Sequence, residues 1–179
     1  MIQKLIDSYC KALSWLMVAG LALMVVLVFT NVVLRYAFNS GITVSEELSR
    51  WLFVWLTFLG AIVAMNEGAH LGTDTLVSRL SVRGKKACLV IGHVLMLFIC
   101  WLMFKGSLEQ VKINWDTTSA AMETSMGIFY SCGVVFAVSG AVILLNHLWR
   151  LVTGQLSEEE LIGIRESEEE PLDVPKPLK

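Results

Sequence analysis

A chain of 179 residues with 55% apolar side chains, 17% charged residues and a mean hydropathy of +0.65 has too thin a polar coat for a water-soluble domain of its size. With a formal charge of −2, no nucleic-acid partner is expected. Cys10, Cys88, Cys100 and Cys132 show no C-x-x-C spacing and read as small apolar packing residues, so no disulfide framework or thiolate metal site is expected.

In chain order, residues 1–11 form a short amphipathic lead-in, with Ile2, Leu5, Ile6 and Tyr9 at helical spacing beside Lys4 and Lys11. Such a segment can lie at the membrane interface before turning into the first span. Uncharged stretches then run over Ala12–Leu34 (23 residues), Trp51–Asn66 (16), Ala87–Phe104 (18) and Thr124–Trp149 (26). A helix rising about 1.5 Å per residue needs roughly 20 residues to cross a hydrocarbon core of about 30 Å. Four spans are therefore expected, at about 12–36, 44–66, 86–106 and 124–149, within one membrane domain covering 12–152. The first stretch is too long for a signal peptide and no small-x-small cleavage site follows it, so it reads as a retained anchor. The region 153–179 is an acidic tail. From Ser157 onward it holds eight acidic residues and three prolines, and most of it is expected to be disordered.

The short second stretch needs its flanks. Phe38-Asn39-Ser40-Gly41 is a turn signal, and Thr43 stands three residues before Glu46, as in a capping box. A helix from Val44 to Met65 then reaches spanning length, with Glu46 and Arg50 at the favourable i, i+4 spacing. Arg35 and Tyr36 end the first span at the same level, and Asn31 lies one turn below Arg35. Asn31, Arg35, Glu46, Glu47 and Arg50 thus read either as one polar cluster at a subunit interface or as charges solvated by headgroups. Small residues mark close-contact faces: Gly60 with Ala64 on the second span, and Gly133, Ala137 and Ala141 with Gly140 on the fourth. Either packing within the chain or a second subunit would use them.

Lys and Arg set the orientation. With both termini in the cytoplasm, ten of these residues lie inside and four outside. No Asp, Glu, Lys or Arg interrupts any uncharged stretch, and all three prolines lie in the tail. Ion-coupled transporters place ionisable or oxygen ligands at mid-membrane, often on broken helices. This chain lacks both features, and it lacks a phosphate-cradling Gly-rich loop with a Lys. It is expected to be no enzyme and to carry no cofactor or metal. The remaining test is haem. His93 and His147 face the same side of the membrane, at depths differing by about 6–8 Å on helical rise, and His70 falls in the inner loop. One loose pair is weak support for a membrane anchor or cytochrome-type subunit of a redox complex, which stands as the alternative reading.

The segment Asn31–Asp74 resembles a known family, the small membrane subunit (DctQ-type small permease) of tripartite ATP-independent periplasmic, or TRAP, transporters. The resemblance is carried by Asn31-Val-Val-Leu-Arg35-Tyr36-Ala-Phe38, Glu46-Glu47-Leu-Ser-Arg50, Phe53-Val-Trp55-Leu-Thr-Phe58-Leu-Gly60-Ala61 and His70-Leu-Gly-Thr-Asp74. Leu48–Ala64 is most similar to members serving sugar-acid uptake. Val44 departs from the family, in which many members have an aromatic residue there. The resemblance implies an all-α integral membrane protein of four transmembrane helices in a bacterial inner membrane. It also implies two protein partners, a large permease subunit carrying substrate and sodium sites and a periplasmic substrate-binding protein, with membrane lipid around them. The role implied is accessory: transport of organic acids such as dicarboxylates or sugar acids requires the chain, which does not itself bind substrate. Residues expected at partner interfaces are Asn31, Arg35, Tyr36, Glu46, Glu47, Arg50, Gly60, Gly133, Ala137 and Ala141.

The orientation is tested by thiol labelling of an otherwise cysteine-free chain. Ser40→Cys is expected to react with an impermeant reagent from the periplasmic side and Gly84→Cys to be protected; the reverse pattern overturns the assignment.

Overall fold

The computed structural model describes residues 2–67 and 82–153. His70, Asp74, Arg79 and the acidic tail lie outside the described residues. Among the described residues there are four helices: α1 (Ile2–Phe38), α2 (Thr43–Asn66), α3 (Val82–Ile113) and α4 (Met126–Val152). All four contain segments long and apolar enough to cross a membrane. One end of the molecule carries the α1–α2 turn and the α3–α4 loop and is called the turn end below. The opposite end carries the start of α1 and the close of α4, and is called the termini end.

Two expectations change at the helix ends. No break separates the lead-in from the first span: α1 is continuous over 37 residues, about 55 Å of helix. The lead-in also does not lie apart from the bundle, because Ile6, Cys10 and Leu13 are buried in the core with Leu59, Ile62 and Met65 of α2 and Ile143 and Leu144 of α4. Burying that apolar face against protein, at about 25 cal/mol per Å², favours continuing the helix over bending it. The second change is at the start of α2. Thr43 and Glu46 make no capping box; the N-cap position is Ile42, which has no side-chain cap of its own.

The helices pack in the order α1, α2, α4, α3. α2 lies between α1 and α4, α4 between α2 and α3, and α1 touches α4 only lightly. Burial follows this order: about a third of the most apolar window of α4 is enclosed, against 6% for both α1 and α3. The central contact between α2 and α4 is made by Trp51 on Phe129 (centroids 5.5 Å apart) and Phe58 on Phe136 (5.7 Å, edge-on). Farther toward the termini end, a methyl added at Gly140 would come within 3.2 Å of the Met65 sulfur.

The small residues settle inside the chain. Ala137 is 2% exposed, and Ala141 packs on the core. A Cβ at Gly133 would collide with the Ser107 hydroxyl and come within 3.1 Å of Ser107 Cβ, so this glycine is what allows α3 to approach α4. Gly60 faces Met17 of α1 at 3.5 Å from the position of its missing Cβ. Gly60, Gly133, Ala137 and Ala141 thus stand at helix contacts within the chain. In lipid, tails solvate apolar side chains as well as protein does, so close approach at small residues is one of the few forces that sorts helix faces.

At the termini end, Asn146 Nδ2 donates to Gln3 Oε1 (2.7 Å), Gln3 Nε2 to Asp7 Oδ1 (3.2 Å) and Asn66 Nδ2 to Asp7 Oδ1 (3.4 Å). This chain of amides joins α4, α1 and α2. Tyr9 and Ser139 share a further hydrogen bond of 2.9 Å between α1 and α4.

Ala137→Leu is expected to overpack the α4 contact face and cost about 1–3 kcal/mol, read as a lower midpoint of thermal unfolding in detergent. An unchanged midpoint would mean that this face has room to spare.

Candidate functional site: a polar corner at the turn end

α1 ends where Asn39 takes a left-handed backbone conformation (φ 50°), tolerated by asparagine, and Ser40 N–H donates to Leu34 O (3.1 Å). The chain then turns back, and α2 begins after Ile42. The orphan N–H of Ile42 finds its acceptor on the other helix: Asn31 Oδ1 of α1, at 2.8 Å. A backbone N–H can only donate, so it fixes which end of the Asn31 amide faces it. The other end, Nδ2, donates to Glu46 Oε1 (3.2 Å). Asn31 is 8% exposed with both ends of its amide used, as a polar group at membrane depth requires. One turn deeper, Ser45 Oγ donates to Leu27 O (2.9 Å), and Ser49 Oγ donates to Ser45 O (2.7 Å).

Around this buried anchor stand the charges. Arg35 Nη1 lies 3.8 Å from Glu46 Oε1, with both side chains more than half exposed. Glu46 therefore pairs across to α1, and the expected Glu46–Arg50 pair along α2 does not form. The reason is geometric: Asn31 already holds the Glu46 carboxylate on the α1 side. Arg50 is exposed and makes no ion pair among the described residues. Tyr36 is 86% exposed. Glu47 turns the other way, and its Oε2 accepts from the backbone N–H of Ala121 at 2.8 Å, tying α2 to the α3–α4 loop.

That loop, residues 114–125, is a built element that residue pattern alone did not reveal. Thr118 and Ser125 form an antiparallel bridge; Ser119 N–H donates to Thr124 O (2.9 Å) and Met126 N–H to Thr117 O (2.8 Å). Asn114 O accepts from both Thr117 N–H (3.3 Å) and Gly127 N–H (3.1 Å). Ser125 caps α4 by accepting from Gly127 N–H (3.1 Å). A Cβ at Gly127 would sit 2.8 Å from the Trp115 ring and 3.3 Å from its Cα, so the loop closes on this glycine. Ser125 just before an apolar run, with Gly127 two residues on, was the available signal. Ile113 at the close of α3 (71%) and Trp115 in the loop (59%) are exposed, as are Asp116 and Glu123.

Of the residues expected in one cluster, the structure thus brings Asn31, Arg35 and Glu46 together, sends Glu47 to the neighbouring loop and leaves Arg50 exposed. Among the described residues, no group of three or more His, Cys, Asp or Glu side chains is placed to hold a metal ion. His93 and His147 do meet, their rings 6.4 Å apart and edge-on, with His93 Nδ1 2.8 Å from Leu89 O. The expected depth offset is taken up by the packing of α3 on α4.

Fold and corner together define a class: a multi-pass, all-helical membrane subunit whose polar contacts gather at its two ends. Residues 24–154 match the family described as tripartite ATP-independent periplasmic transporters, DctQ component, and the chain belongs to that family. It is 40% identical over 148 residues to a TRAP transporter small permease protein of Haemophilus influenzae, covering 83% of this chain and 92% of that one. It is 31% identical over 85 residues to the C4-dicarboxylate TRAP transporter small permease protein of Vibrio cholerae, 44% of this chain and 37% of that one. A third relative is the isethionate TRAP transporter permease protein DctMQ of Oleidesulfovibrio alaskensis, 25% identical over 141 residues, 70% of this chain and 22% of that one. The chain is a small permease subunit, a component of a transporter.

Removing the anchor is expected to loosen the corner. Asn31→Ala leaves the Ile42 N–H without its acceptor, and the cost of an unmet buried hydrogen bond is about 1–3 kcal/mol. A lower thermal midpoint in detergent is expected for Asn31→Ala, and none for the exposed Tyr36→Ala. Equal midpoints for Asn31→Ala and the unaltered chain would show that the cap is dispensable.

Proposed function

We propose that this chain is the accessory subunit of a sodium-driven transporter for organic acids in a bacterial inner membrane, with both termini cytoplasmic and the turn end periplasmic. Coupling and substrate binding fall to a large permease subunit, and a periplasmic binding protein delivers the substrate. The observation that carries this reading is the polar corner, where Asn31 and Glu46 join α1 to α2 and Glu47 joins α2 to the α3–α4 loop. A protein surface that must receive a soluble partner has to hold its loops in fixed relative positions, and these bonds do so. The uncharged span interiors support placing the coupling chemistry elsewhere. A large membrane partner is supported by the DctMQ relative, of which this chain matches only 22%. An anionic substrate class is supported by the relatives named for C4-dicarboxylate and isethionate.

On this reading the docking face consists of the close of α3 and the α3–α4 loop, with exposed Ile113, Trp115, Asp116 and Glu123, together with Arg50 and the rim of the corner. Exposed apolar side chains ringed by charge are the usual composition of a protein contact. The large subunit is assigned the outer apolar faces of α1 and α3, the least enclosed helices.

Glu47→Ala and Arg35→Ala are expected to lower substrate uptake by the assembled transporter severalfold at matched membrane levels of both membrane subunits. Binding of substrate to the isolated binding protein is expected to stay unchanged. Wild-type uptake by both variants would reduce these side chains to interfacial charges.

A further inference from the structure

At the turn end, α1 and α2 form a cleft of about 260 Å³ lined by Val28, Asn31, Val32, Arg35 and Tyr36 of α1 and Ser45, Glu46 and Ser49 of α2. We propose that this cleft is a binding site for one glycerophospholipid with a primary ammonium headgroup, drawn from the leaflet at the turn end. Its phosphate lies on Arg35, its ammonium on Glu46, and the start of one acyl chain on Val28 and Val32. The proposal is independent of the transport role and of which face of the membrane the turn end occupies.

Three observations carry it. The first is depth. Arg35 follows directly on the uncharged stretch Ala12–Leu34, so it stands where hydrocarbon meets headgroups. Val28 lies seven residues deeper, about 10 Å along the helix and still within one leaflet. The cleft therefore runs along the axis of a lipid, charged at the top and apolar at the side. The second is access. On the floor, both ends of the Asn31 amide are used, and the Ser45 and Ser49 hydroxyl protons go to backbone carbonyls. Arg35 and Glu46 lie 3.8 Å apart with their side chains 70% and 53% exposed, so a headgroup arriving from outside reaches the guanidinium fork and the carboxylate together. The third is charge order. The adjacent cation and anion of Arg35 and Glu46, 3.8 Å apart, match a zwitterion carrying phosphate and ammonium a few ångströms apart. A choline headgroup offers no N–H to the carboxylate, and a glycerol headgroup offers no cation. Arg35 suits the phosphate end because its planar fork takes two phosphate oxygens at once. A volume below the roughly 300–1,000 Å³ of small-molecule sites fits a headgroup and the start of a chain better than an enclosed solute.

The test uses the full chain, purified in mild detergent and stripped of lipid. Native mass spectrometry then reads adducts formed with equal amounts of phosphatidylethanolamine, phosphatidylcholine and phosphatidylglycerol carrying the same acyl chains. The ethanolamine lipid is expected to exceed the other two by about threefold or more, the scale of one exposed charge pair. Glu46→Gln, which keeps an acceptor for Asn31, is expected to bring ethanolamine down to the choline level. Arg35→Ala is expected to weaken all three lipids, and Val32→Trp, which fills the cleft and leaves both charges, to abolish the preference. Circular dichroism and a monodisperse elution profile confirm that each variant is folded. Equal occupancy of the three lipids on the unaltered chain overturns the proposal, as does a preference for the glycerol headgroup or an ethanolamine preference that survives Val32→Trp. In the complex with the large subunit, retention of the ethanolamine lipid supports the site. Its absence there, with a thiol at position 32 cross-linking to the large subunit, overturns it in favour of a partner side chain in the cleft.

Discussion

Asn31 holds two helices by opposite ends of one amide. Its oxygen takes the free N–H of Ile42 at the start of α2, and its nitrogen gives to Glu46 one turn later. A helix that begins near the hydrocarbon boundary cannot leave its first donors unmet, because little water is there to meet them. Most helices solve this with a residue of their own, and α2 instead relies on its neighbour. The angle and register of α1 against α2 are therefore set at this point. The placement of Ser45 under Leu27, the reach of Arg35 toward Glu46 and the cleft between the two helices all depend on it.

From that corner the rest is built sideways. Glu47, freed from α1, catches the backbone of the α3–α4 loop, so α2 carries both the first hairpin and the end of the second. Below, Trp51 and Phe58 meet Phe129 and Phe136, and Gly133 lets α3 come close to α4. The outcome is a row of helices with α2 and α4 enclosed and α1 and α3 exposed along their length. Such a row offers broad apolar faces, and it keeps its polar contacts at the turn end and at the Gln3–Asp7–Asn66–Asn146 chain. That distribution is what the accessory role proposed above draws on.

The number of helices and their approximate limits could be read from the residues, because the thickness of hydrocarbon demands about 20 apolar residues per crossing and little else satisfies that demand. The residues of the corner were also legible by type: Asn31, Arg35, Glu46 and Glu47 are polar side chains at span ends, where each needs a partner. Their pairing was not. Along α2 the i, i+4 rule joins Glu46 to Arg50, and nothing local argues against it. Only the approach of α1 puts Asn31 and Arg35 nearer, and that approach is held by the Asn31 bonds together with contacts such as Gly60 on Met17, far away in sequence.

The same division runs through the rest of the chain. Composition and the order of Asn31–Asp74 determined the class of protein, since a membrane of fixed thickness and a family-specific series of polar and aromatic positions leave few alternatives. The tertiary structure decided which faces are free. Gly133, Ala137 and Ala141 mark a close-contact face in either partner or self packing, and lipid supplies no hydrophobic drive that would tell the two apart from sequence. It also decided that residues 114–125 form a built loop, because its bonds join Asn114 to Gly127 and Ala121 to Glu47 across distances that no local pattern records.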